Sequence, residues 1–99
     1  MITFLKSDQF DIWLSGLKDQ IAKAFIAKRI RSAELGNFGD CESVGEGISE
    51  MRIHFGAGYR VYFTRCGDVF YLLLIGGDKS TQKRDINRAK EMARTLPKE

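Results

Sequence analysis

The unbroken apolar run Phe70-Tyr71-Leu72-Leu73-Leu74-Ile75 constrains this chain more than any other stretch. A strand with one wet face alternates polar and apolar residues, so a run apolar on both faces, here Val69 to Ile75, marks a central strand of a sheet. The run stops at Gly76-Gly77 and passes through Asp78-Lys79-Ser80-Thr81-Gln82 into the basic helical pattern Lys83-Arg84-Asp85-Ile86-Asn87-Arg88-Ala89-Lys90. Such a corner has two readings. Orphan N–H groups at a helix start, beside a lysine and two hydroxyls, suit a phosphate; the same order is also how a chain simply turns from strand to helix. A nucleotide P-loop is excluded, because G-x-x-x-x-G-K-[ST] ending on Lys79-Ser80 needs glycine where Leu73 and Asp78 stand.

Two further strands precede this one. In Ile48 to Phe55, Ser49, Met51, Ile53 and Phe55 point one way and Ile48, Glu50, Arg52 and His54 the other. Gly56-Ala57-Gly58 then predicts a tight hairpin, and Tyr59 to Arg65 alternates again, with Arg60, Tyr62 and Thr64 opposite Tyr59, Val61 and Phe63. Arg52 and Arg60 thus fall on one polar surface if the faces register. Gly67-Asp68 makes the next hairpin.

The flanks are helical. Met1 to Leu5 reads as a short pairing strand, and Ser7 or Asp8 caps a helix whose Phe10, Trp13, Leu14 and Leu17 share a face. Gly16 closes it before Lys18-Asp19 opens a second helix, in which Ala22, Phe25, Ile26, Arg29, Ile30 and Ala33 recur at threes and fours. Leu35-Gly36-Asn37 stops that helix, and Asn37 to Asp40 is a turn. A last helix buries Ile86, Ala89, Ala93 and Leu96 until Pro97 ends it, while Arg84, Arg88, Glu91 and Arg94 face water. The expected fold is one α+β domain over residues 1–99, an N-terminal strand and α-helical hairpin packed on a mainly antiparallel sheet, with a C-terminal helix.

Bulk properties narrow the function. At 99 residues, with 43% hydrophobic content, the chain builds one core. No apolar run is long enough to span a bilayer, and the N-terminus lacks signal-peptide order, so a soluble cytoplasmic protein without a membrane partner is expected. Cys41, Cys66 and the lone His54 are too few for a zinc tetrahedron, and neither a metal nor a cofactor is expected. In a reducing compartment both thiols are expected free. The net charge of +3 is carried by Gly76–Glu99, the remainder being balanced, and a localised basic segment is the footprint of a nucleic-acid binder as well as of an ordinary solvated helix.

The words Glu50-Met51-Arg52-Ile53, Gly58-Tyr59-Arg60-Val61-Tyr62-Phe63 and Leu73-Leu74-Ile75-Gly76-Gly77-Asp78-Lys79-Ser80-Thr81-Gln82, in this order of elements, resemble the RelE/ParE superfamily of bacterial toxins. More narrowly, the chain is similar to the phage Gp49-like, HigB-type branch of addiction module killer proteins. The resemblance covers essentially the whole chain. It implies a toxin of a type II toxin-antitoxin pair, neutralised by a cognate helix-turn-helix antitoxin through which alone it meets operator DNA. RelE-like and HigB-like members cleave mRNA without a metal, commonly in the ribosomal A site, whereas ParE-like members poison DNA gyrase; a non-catalytic antitoxin-binding module is a third outcome.

Metal-free RNA cleavage needs help in deprotonating the ribose 2'-OH and fixed cations for the charged phosphorane. The family words carry those roles onto Arg52, Arg60 and Lys79. His54, with the only side chain that ordinarily titrates near neutrality, and Glu50 are the candidate general bases, Glu50 being equally able to orient an arginine. Lys83, Arg84 and Arg88 are expected to bind RNA. Several relatives place an aromatic residue near the C-terminus; Met92–Glu99 has none, and Tyr62 on the Arg60 face is the expected stacking surface instead.

Overall fold

In the computed structural model, which describes residues 1–96, the chain runs β1 (Thr3–Lys6), α1 (Asp8–Gly16), α2 (Gln20–Glu34), β2 (Cys41–Gly45), β3 (Ile48–Ile53), β4 (Tyr59–Arg65), β5 (Phe70–Gly77), a 3₁₀ turn (Lys79–Thr81) and α3 (Gln82–Arg94). The strands form one sheet in the order β1-β5-β4-β3-β2. Only β1 and β5 pair in parallel; the other neighbours are antiparallel. The architecture is the α+β arrangement read from the sequence, with β5 inside the sheet. The helix stop assigned to Pro97 lies outside the described residues.

One strand was not foreseen. Cys41–Gly45 follows the predicted turn and pairs with β3 at the sheet edge, returning through Gly45-Glu46-Gly47, all at positive φ. Its mostly exposed residues show no apolar alternation, which is the pattern of an edge strand rather than a buried one.

The helices begin where their caps dictate. Ser7 accepts from Phe10 N (2.9 Å) and donates to Leu74 O (2.6 Å), fixing the start of α1 to β5. Asp19 accepts from Ile21 N and Ala22 N and opens α2. At the far end Gly36, φ +94°, lets Gly36 N and Asn37 N close on Ala33 O and Ser32 O.

The pleat sorts the core into two layers. Phe10, Ile26, Met51, Ile53, Val61, Phe63 and Leu73 lie between the sheet and α1–α2. Ile48, Tyr62, Leu74 and Ala89 lie under α3, with Ile86, Met92 and Ala93 packed against them. Gly76 and Gly77 belong to β5 and serve this layering. A Cβ on Gly76 would stand 2.2 Å from the Trp13 ring, and one on Gly77 1.8 Å from Asp85 Oδ2. Helices from both faces press onto the strand end, and only glycine leaves them room. Among the described residues no helix is long and apolar enough to cross a membrane, and Cys41 and Cys66 are both free thiols.

Candidate functional site

The register of β3 and β4 places Arg52 directly opposite Arg60, and β4 places Arg60 opposite Gly77. Both arginines lie on the α3 face. Like charges directly across a sheet repel, and Glu50, two residues before Arg52 and therefore on the same face, lies between them. Glu50 Oε1 accepts from Arg52 Nε at 3.1 Å. Oε2 accepts from Tyr62 Oη and from Gln82 Nε2, each at 2.9 Å, and stands 3.6 Å from Arg60 Nε. That last distance is a charge contact too long for a hydrogen bond, so the buried Arg60 Nε has no hydrogen-bond partner among the described residues.

The Glu50 carboxylate is fully buried, at 0% exposure. Burial pushes its pKa up, but hydrogen bonds from Gln82, Tyr62 and Arg52, with the charge of Arg60, outweigh burial and hold it below the ordinary value. Burial and the bond to Glu50 drive the Tyr62 phenol the other way, so it remains a protonated donor.

Arg52 is held from three sides. Besides Glu50, its Nη2 meets Glu42 of β2, and its Nη1 is 3.8 Å from Asp40 Oδ1. The bonds to Glu50 and then Glu42, with the charges of both, outweigh burial and raise its already high pKa. Arg29 of α2 anchors the backbone beneath, donating to the carbonyls of Arg52, Phe38 (3.1 Å) and Asp40 (3.3 Å). Arg60 is only 13% exposed, and its Nη1 donates to Gly58 O at 2.8 Å. Lys79 is exposed in the 3₁₀ turn, its N–H reaching Ala57 O at 3.3 Å; among the described residues it makes no ion pair. His54 follows the end of β3, is 73% exposed, and sets Nε2 2.5 Å from Asp40 Oδ2.

Arg52, His54, Arg60 and Lys79 line one open cleft of about 400 Å³, together with the Phe55–Gly58 turn and Tyr59. Gly58, φ +75°, turns the chain at the cleft wall between Arg60 and Lys79. A Cβ there would make ordinary contact, 3.4 Å, with both Arg60 Nη1 and the Lys79 Cβ, so it is the left-handed backbone and not crowding that favours glycine.

Two expectations change. Tyr62 is 0% exposed and bonded to Glu50 beneath α3, so it offers no face to a base. Glu50 lies under the cleft rather than in it, with both oxygens engaged by hydrogen bonds, so it does not meet a ribose hydroxyl placed there; it holds Arg52 instead. Lys83 and Arg84 border a separate hollow with Ser80, Thr81 and Asn87, and Arg88, a turn further along α3, pairs with Glu91 at 3.8 Å. The strand-to-helix corner is also self-capped. Asp78 Oδ1 accepts from Ser80 N at 2.8 Å and from Ser80 Oγ at 2.5 Å, the place a phosphate oxygen would take.

Sequence reading missed Asp40, Glu42 and Gln82. A signal for Glu42 was available in principle, since it pairs directly across from Glu50 and Arg52 completes the charge pattern, but it depends on recognising β2. Gln82 had none, because its role depends on where α3 crosses the sheet.

The fold and site define a small α+β protein with an ion-lined cleft at one end of its sheet. No protein-family model matches the chain. It is 54% identical over 87 residues, 88% of each chain, to an uncharacterized protein of Haemophilus influenzae, and it belongs to the same family as that protein.

Proposed function

We propose that this chain is a RelE/ParE-type toxin of the HigB branch, an endoribonuclease that cuts mRNA on the ribosome in the cytoplasm and is neutralised by a cognate helix-turn-helix antitoxin. The observation that carries this reading is the meeting of Arg52, Arg60 and Lys79 at one cleft with His54 on its rim. A phosphodiester in that cleft meets Lys79, which pairs with no carboxylate among the described residues, and the guanidinium of Arg60, held by the Gly58 carbonyl and Glu50. As the 2'-oxygen attacks, its proton passes to His54, the O2'–P bond forms and negative charge grows on the phosphorane facing the cations. The P–O5' bond then breaks, O5' takes a proton from water, and the hydroxide so formed recovers the proton held by His54. The products are a 2',3'-cyclic phosphate and a 5'-hydroxyl.

Purified protein, programmed ribosomes and mapping of RNA 5' ends test this reading. Cleavage is expected to persist in EDTA, and Arg60→Ala or Lys79→Ala is expected to slow it about 10²- to 10³-fold each, the usual loss when one charge-stabilising donor is removed. An intact message in the presence of active protein overturns it.

A second reading rests on Arg52, whose Nε and Nη2 are bonded to Glu50 and Glu42 and whose Nη1 lies 3.8 Å from Asp40. An arginine so neutralised suits a binding surface as well as a catalytic one, and a ParE-like gyrase inhibitor or a non-catalytic antitoxin-binding module is the alternative. Filamentation and DNA damage with intact messages would select the first of these, and undisturbed growth on induction the second.

A further inference from the structure

We propose that Asp40 is the positioning residue of His54, so that the two form the proton-handling couple of the cleft. This rests on the RNA-cleaving reading above.

An exposed His–Asp contact is ordinarily a surface ion pair of little consequence. Three observations set this one apart. The first is how firmly Asp40 is placed: its carbonyl accepts from Arg52 N at 2.9 Å and from Arg29 Nη2 at 3.3 Å, while Arg29 also bonds the carbonyls of Phe38 and Arg52. Gly39, φ +67°, lets the chain pass this guanidinium, since a Cβ there would lie 2.8 Å from Arg29 Nη2. The loop before β2 is thereby tied to the end of β3, where His54 emerges.

The second is that the carboxylate is shared. Oδ2 is 2.5 Å from His54 Nε2 and Oδ1 is 3.8 Å from Arg52 Nη1, so one group joins the imidazole to a cation lining the cleft. The third is the protonation pattern this imposes. The His54 hydrogen bond, opposed by burial and aided by the charges of Arg52, His54 and Arg29, holds the Asp40 carboxyl below its ordinary range. An ionised carboxylate only accepts, so Nε2 carries the hydrogen and the lone pair of a neutral imidazole is left on Nδ1. Nδ1 is then the atom that takes the 2'-hydroxyl proton, and Asp40 steadies the imidazolium that results. The charged groups around the couple are Arg29 of α2, Arg52 and Glu50 of β3, Glu42 of β2, Arg60 of β4, and Lys79 of the 3₁₀ turn.

Two measurements on the full chain test the couple. On message-programmed ribosomes, Asp40→Asn keeps the shape but offers an amide donor to Nε2, which puts the ring hydrogen on Nδ1; kcat is expected to fall about 10-fold or more with KM little changed. Asp40→Glu is expected to recover part of the loss, which a purely structural role would not allow. By carbon NMR, the Asp40 carboxyl midpoint is expected to rise toward the ordinary aspartate value of 3.8 in His54→Ala. An Asp40→Asn protein as fast as wild type, or an Asp40 midpoint indifferent to His54→Ala, overturns the couple while leaving the cleavage reading intact. A wild-type protein that cuts no message overturns the reading first, and the assigned role with it.

Discussion

The two faces of the sheet solve different problems. Against α1–α2 the strands present an apolar layer in which Phe10, Ile26, Met51 and Val61 are wholly buried. Against α3 the apolar part is smaller, formed of Ile48, Tyr62, Leu74 and Ala89, and gives way past the Tyr62 hydroxyl to Glu50, Arg52 and Arg60. Dispersion and burial suffice on the first face. On the second, each charge is present only because another pays its desolvation, and the cluster opens onto the cleft. The comparison teaches that one face fixes the fold while the other holds polar groups in poses an apolar core would not need.

The largest effect expected from breaking this division is on the first face. Phe10→Ala removes a fully buried ring that packs beside Trp13 at 5.8 Å between centroids. Such a truncation costs about 3–5 kcal/mol, or a fall in Tm of about 12 °C or more for a domain of this size. Calorimetry measures it, and at a temperature where the variant stays folded the proposed RNA binding at the cleft is expected to be unchanged.

On the second face Glu50→Gln is the corresponding lesion, and it has a pH signature. The amide puts a donor against Arg52, Tyr62 or Gln82, all of which already donate, and loses charge-assisted bonds each worth about 1.5–3 kcal/mol. Because the folded Glu50 pKa lies below its unfolded value of 4.5, its stabilisation is fully present above that value. It is lost as pH falls through the folded pKa. The stability gap between wild type and Glu50→Gln, measured by urea unfolding, is therefore expected to be constant near neutrality and to close on acidification below about pH 4.5. A gap that widens in acid contradicts the network.

What the sequence made legible follows from rigid local rules. Alternation pairs Glu50 with Arg52 on one face of Ile48–Phe55 and Arg60 with Tyr62 on one face of Tyr59–Arg65, because a strand's period leaves no other choice, but only the register of β3 with β4 joins the two pairs. It did not say how far α3 would cover that surface, and so Tyr62 was read as open when the helix buries it. Gly76-Gly77 show the same limit. A glycine that turns the chain and one kept bare for packing look alike in sequence, and only Trp13 and Asp85 closing from opposite sides distinguish them. Edge strand β2 escaped because its exposed residues carry no apolar period, and Asp40 and Glu42 escaped with it. Lys79 is legible through its family word, but the hairpin that brings Gly58 against both Lys79 and Arg60 is not.

The smallest effect sharpens the comparison most, because it concerns the exposed margin of the second face. Glu42 is well exposed, and its contact with Arg52 is solvent-screened, so removing it changes stability by less than about 1 kcal/mol. Its effect on binding has a definite sign. Any phosphate that engages Arg52 Nη2 must displace the Glu42 carboxylate, whereas the buried Glu50 keeps Nε in place. Glu42→Gln keeps the size and removes the competing charge, so a short RNA bearing a 2'-deoxy group at the scissile position is expected to bind up to about fivefold more tightly at low salt. The advantage shrinks as ionic strength rises, since an exposed charge is screened. Fluorescence anisotropy across a salt series measures both. Weaker binding would mean that Glu42 aims Arg52 rather than occupying it, and β2 would then belong to the built part of the cleft instead of its removable edge.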